Sequence, residues 1–112
     1  MSLGVEVAAT EPVGIVDFAY LEDFAAGDKT VVREVLTLFR QQAEAWAQGL
    51  DSADPGWRDV VHTIKGAARG VGANALGDIC ARAEAEGESG LTAVKAALEA
   101  AVADIAAYQA RA

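Results

Sequence analysis

A single cysteine, Cys80, means that no internal disulfide can form, and one thiol is too few for a cysteine-based metal centre. It reads most simply as a small core residue. Hydrophobic residues make up 53% of the chain, yet no apolar run approaches the roughly 20 residues needed to span a bilayer, so no membrane association is expected. The N-terminus lacks a basic segment followed by an apolar stretch, so no secretory leader is expected and the cytoplasm is the expected location. Cations are scarce: 9 Lys and Arg stand against 17 Asp and Glu, a formal net charge of −8. That balance argues against a nucleic-acid partner, whose phosphates call for clustered Lys and Arg. Prolines are confined to positions 12 and 55, so no proline falls between them to break a helix.

What is present is helical periodicity. Residues 1–13 show no sustained pattern, are closed off by Pro12 and Gly14, and read as a flexible N-terminal arm. One domain is the natural count for the remainder, 14–112, which is long enough to bury a core without staples. A short first helix starts at an Asp17 cap and ends near Gly27, lidding one end of the fold. Asp28 caps a long second helix, in which Val32, Val35, Leu36, Phe39, Ala43, Trp46 and Leu50 recur at i, i+3 and i+4. Its break lies in residues 51–56, and the third helix is expected to open with Asp54 as N-cap and Pro55 in its first turn. After Gly72, Leu76, Ile79, Cys80 and Ala83 mark the inward face of a fourth helix, bracketed by Gly87 and Gly90. Leu91, Val94, Leu98, Ala101, Val102, Ile105 and Tyr108 line a fifth. Nothing reads as a strand. The expected fold is all-α: an up-down-up-down four-helix bundle with a short additional N-terminal helix.

The third helix carries the only histidine, His62. At about 100° per residue, Trp57, Val61, Ile64, Ala68 and Val71 share one apolar sector, with Val60 and Ala67 at its edge. His62, Arg58, Lys65, Gly66 and Arg69 fall on the opposite side and are expected to face solvent. Glycine inside a helix costs about 1 kcal/mol relative to alanine, and this chain uses alanine freely elsewhere. Gly66 therefore reads as a deliberate gap that lets another molecule approach an imidazole flanked by cations. The aromatics Phe39, Trp46 and Trp57 sit at core spacing and are given no chemistry.

The stretch His62, Ile64, Lys65, Gly66, Ala67, Ala68, Val71, Gly72 and Leu76 resembles the signature of histidine-containing phosphotransfer (HPt) domains, the helical modules of multistep two-component phosphorelays. Cys80 and Glu84 follow at helical spacing. The likeness extends to helix order and lengths from about residue 15 onward; many members carry serine where Ala67 and Ala68 stand. It implies that His62 accepts a phosphoryl group from the aspartyl phosphate of a receiver domain and passes it to another receiver's aspartate. Lys65 would stabilise the charge of the group in flight, while Gly66, Arg58 and Arg69 would serve partner docking. The chemistry agrees with that implication. A neutral imidazole, with an unperturbed pKa of about 6.5, is a competent nucleophile near pH 7, and phosphoryl transfer asks mainly for positioning and charge neutralisation.

No carboxylate cluster reads as a metal site and no Gly-x-x-x-x-Gly-Lys-Ser/Thr loop is present. No cofactor is expected on this chain, the Mg²⁺ being supplied by the receiver, and no autonomous ATP-dependent kinase activity is expected. The implied partners are response-regulator receiver domains or a hybrid histidine kinase, met as a monomer. Two other readings keep the bundle: a helical adaptor or dimerisation module that transfers nothing, and the phosphoacceptor domain of a chemotaxis-type histidine kinase.

Overall fold

The structure, a computed structural model, describes residues 16–111, so the expected arm over 1–13 lies outside the described residues. Five α-helices follow one another: α1 (Phe18–Phe24), α2 (Lys29–Gly49), α3 (Trp57–Val71), α4 (Asn74–Glu86) and α5 (Leu91–Arg111). A 3₁₀ turn, Glu88–Gly90, joins the last two, and no strand occurs among the described residues. Nor is any helix there long and apolar enough to cross a membrane.

Local chemistry sets most boundaries. The Asp17 carboxylate accepts the Tyr20 N–H at 3.1 Å, and that of Asp28 accepts those of Thr30 and Val31, so α1 and α2 each begin on the acidic cap that the sequence marks. The start of α3 differs from expectation. Asp54 Oδ1 accepts the Gly56 N–H at 2.8 Å and the Asp54 carbonyl accepts that of Trp57, which commits Asp54 to a tight turn. Helix α3 then opens two residues later, with Gly56 at the cap and no side chain bonded to its first turn. Its other end follows the sequence closely: Gly72 takes φ +88°, and its N–H and that of Ala73 close back on the Arg69 and Ala68 carbonyls.

Helices α2, α3, α4 and α5 form a ring in which α3 packs on α2 and α4, and α5 on α4 and α2. Leu36, Val61, Ile64, Leu76, Cys80, Val94 and Ile105 are fully buried in the middle. Each larger aliphatic contributes about 1.5–3 kcal/mol by leaving water. Val35, Trp46, Ile79, Val102 and Tyr108 pack on the margin of that core. Helix α1 ties one end together. The Asp17 N–H donates to the Gly72 carbonyl at 2.8 Å, Phe18 stacks on Tyr108 with ring centroids 4.1 Å apart, and Leu21 is buried. The end of α3, the end of α5 and α2 thus all meet α1.

Candidate functional site

Helix α3 turns Val61, Ile64 and Ala68 fully inward, which fixes His62 on the outer side one residue from the core. The His62 side chain is 70% exposed. Helix α4 runs alongside, and α3 and α4 are the most extensively packed pair in the ring. Their contact brings Glu84 under the imidazole.

The geometry converges on that carboxylate. His62 Nδ1 lies 2.8 Å from Glu84 Oε2, and Lys65 Nζ donates to Glu84 Oε1 at 2.6 Å. One oxygen serves each partner. The Lys65 ammonium, and then the His62 ring, hold the Glu84 carboxyl below the ordinary glutamate range. An ionised carboxylate only accepts, so the Nδ1 facing it carries the hydrogen. In the neutral ring the lone pair then belongs to Nε2. The sequence pattern alone does not fix this tautomer.

Lys65, expected in solvent, is in fact half-buried: its stem crosses onto α4 to reach Glu84, leaving the side chain 22% exposed. Gly66 behaves as its position implies. A Cβ built there meets nothing within 4 Å, so the backbone beside His62 is open to an incoming surface. The two arginines make other contacts. Arg58 lies over the Trp57 ring at 4.5 Å from its centroid. Arg69 is laid across Gly77 of α4, where a Cβ would fall 2.9 Å from its Cγ, and reaches Asp78 at 3.4 Å. The structure thus brings His62 and Lys65 together on Glu84, leaves Gly66 bare beside them, and places Arg58 and Arg69 as flanking charges.

Glu84 is the residue that sequence reasoning does not assign a role. A signal for it exists, since Leu76, Cys80 and Glu84 continue one i, i+4 row and the carboxylate ends a row that is otherwise buried. Beneath it, burial first and then the nearby Glu84 charge push the Cys80 thiol up to about 11, so it stays protonated and inert at neutral pH. Among the described residues no group of three or more His, Cys, Asp or Glu could hold a metal ion.

The sequence matches the family model of the Hpt domain over residues 29–108. Among solved structures, the chain is similar to the crystal structure of the histidine phosphotransferase ShpA from Caulobacter crescentus. The two are 60% identical over 86% of this chain and 91% of that one, with a TM-score of 0.79. No curated protein matches the chain. The family model spans all four helices of the ring and the likeness to ShpA holds in both sequence and structure, so the chain belongs to the Hpt domain family.

Proposed function

We propose that the chain is a phosphorelay intermediate in which His62 Nε2 takes a phosphoryl group from a receiver's aspartyl phosphate and later gives it to another receiver's aspartate. The observation that carries this reading is the Glu84 contact to Nδ1, which leaves the nucleophilic lone pair on Nε2 of an exposed ring. In the transfer an Nε2–P bond forms as the aspartyl O–P bond breaks, and the donor carboxylate is regenerated. The imidazole keeps its Nδ1 hydrogen and becomes cationic, a charge that the Glu84 carboxylate is placed to stabilise. Lys65 neutralises oxygens of the phosphoryl group, and Gly66 admits the receiver's loops beside the ring. Arg58 and Arg69 supply a positive rim for an acidic partner surface.

The Mg²⁺ that assists the reaction is assigned to the receiver, and this chain needs no cofactor or ATP of its own. It works as a cytoplasmic monomer meeting receiver domains or a hybrid kinase, and residues 14–112 act as the functional unit. Helices α2 to α5 alternate in direction. Support for that topology comes from α1, which touches the start of α2 together with the ends of α3 and α5.

The test is to incubate purified protein with phosphorylated receiver domains and to follow acid-labile, base-stable label. Label is expected on wild type and absent on His62→Gln. Receivers that bind without passing label would replace this reading with an adaptor. Label acquired only from a kinase's ATP-binding domain would replace it with the chemotaxis-type assignment.

A further inference from the structure

The nine cations are not spread evenly over this acidic chain. Arg58, Lys65 and Arg69 lie on the outer side of α3, around His62. A second set, Lys29, Arg33, Arg40 and Arg111, lies on α2 and the end of α5, and none of these four makes an ion pair among the described residues. Because the ring runs α2, α3, α4, α5, the α2/α5 face is the one across the bundle from the α3/α4 face. The second set therefore has no part in the chemistry at His62.

These side chains border a groove. A cavity of about 950 Å³ lies between α1, the first turns of α2 and the last turn of α5, with Lys29, Arg33 and Arg111 at its edge and Val32 and Leu36 at its floor. A second cavity of about 660 Å³ continues along the same α2/α5 seam, where Arg40 stands with Glu44 and Glu99. The wall between is ordered by side-chain bonds: Arg40 donates to Gln109 Oε1 at 2.7 Å, and Gln109 Nε2 donates to Thr37 Oγ1 at 3.2 Å. Tyr108 donates to Glu22 at 2.5 Å, and Glu22 is the one carboxylate lining the first cavity. The four cations are all exposed.

Lys29, Arg33 and Arg111 stand against one carboxylate, Glu22, along the first groove, a locally positive edge on a protein of net charge −8. From this charge pattern we infer a second docking face: the α2/α5 groove takes an acidic, extended segment of a partner protein, its carboxylates on Lys29, Arg33 and Arg111. A nucleic acid fits poorly, since the rest of the surface would repel its continuous phosphate charge. A partner seated here leaves His62 free. The protein can then hold one acidic partner while exchanging phosphate with another, which raises the effective concentration of a tethered receiver at the imidazole.

The test uses a short fluorescein-labelled peptide in which glutamates alternate with leucine and serine, titrated against full-length protein by anisotropy at low and high salt. Binding to wild type that weakens with salt and drops at least about tenfold in Lys29→Glu/Arg33→Glu is expected. His62→Gln should bind the peptide as wild type does. Both charge-reversed positions are exposed, and circular dichroism of the variant checks that it is folded. Absence of binding, or equal binding to wild type and variant, overturns the inference. So does a wild-type dimer in sedimentation that the same variant dissociates, because the groove's occupant is then a second copy of the chain. Labelling of His62 by a small phosphodonor is measured alongside and is expected to be the same in wild type and variant, so loss of that labelling in wild type counts against the phosphotransfer reading and not against the groove.

Discussion

At the scale of single residues, the site turns on Glu84, whose two oxygens are divided between His62 and Lys65. Removing it releases both: Glu84→Ala leaves Nδ1 without its acceptor, lets the ring populate the other tautomer and frees Lys65 to wander. Transfer from a receiver is expected to slow by about tenfold, the loss of one charge-assisted hydrogen bond in the transition state, with Glu84→Gln less affected because its amide oxygen still accepts from Nδ1. Rapid-quench measurements of both variants check the order. The same carboxyl sets a pH dependence. Its folded pKa is depressed, so its contribution to stability is complete above the unfolded value and fades as pH falls through the folded one. The difference in Tm between wild type and Glu84→Gln should persist at pH 6–7, begin to shrink as pH falls through the unfolded glutamate value of about 4.3, and close once pH has fallen through the depressed folded value. His62, Lys65 and Gly66 were legible in the sequence because they sit together on one helix at i, i+3 and i+4. Glu84 was not, since it reaches the site across a helix-helix contact 22 positions away, and linear spacing carries no record of which helices touch.

At the scale of helices, α3 combines a stable C-terminus with a weakened middle. Gly72 ends it at φ +88°, and a Cβ there would lie 2.6 Å from the Asp17 carbonyl. Gly72→Ala is therefore expected to cost about 2–4 kcal/mol, from left-handed backbone strain together with displacement of α1; a urea titration reads it directly. Gly66 behaves in the opposite way. Since a Cβ meets nothing there, Gly66→Ala should stabilise the protein by about 1 kcal/mol. Gly66→Leu should keep the fold and the reactivity of His62 toward a small phosphodonor, yet slow transfer from a receiver by about tenfold or more. Equal rates for both donors would remove the steric role of Gly66. Helix extents were readable from periodicity and caps, with α1 and α2 starting at the acidic residues that the sequence marks. The start of α3 was not, because an aspartate followed by proline and glycine can serve a tight turn as well as a helix cap, and the backbone bonds of Asp54 decide for the turn.

At the scale of the whole molecule, charge is the organising quantity. A net charge of −8 would repel an acidic partner, and Arg58, Lys65 and Arg69 place local positive charge on the outer side of α3 around His62. The kcat/KM of receiver-to-His62 transfer is accordingly expected to fall several-fold as salt rises from about 50 to 300 mM, with kcat unchanged; small-donor labelling should be insensitive to salt. The all-helical class followed from composition and period, whereas the ring order and the α2/α5 groove depend on packing that no single helix encodes. Helix α1 has one more consequence. Phe18, near the first described residue, stacks on Tyr108, near the last, so the described chain enters and leaves at one corner. The module is thereby portable: it can be spliced into a loop of a host protein without prising the bundle apart, and a circular permutant joined across that corner and opened at Ser52 should fold and still be labelled at His62.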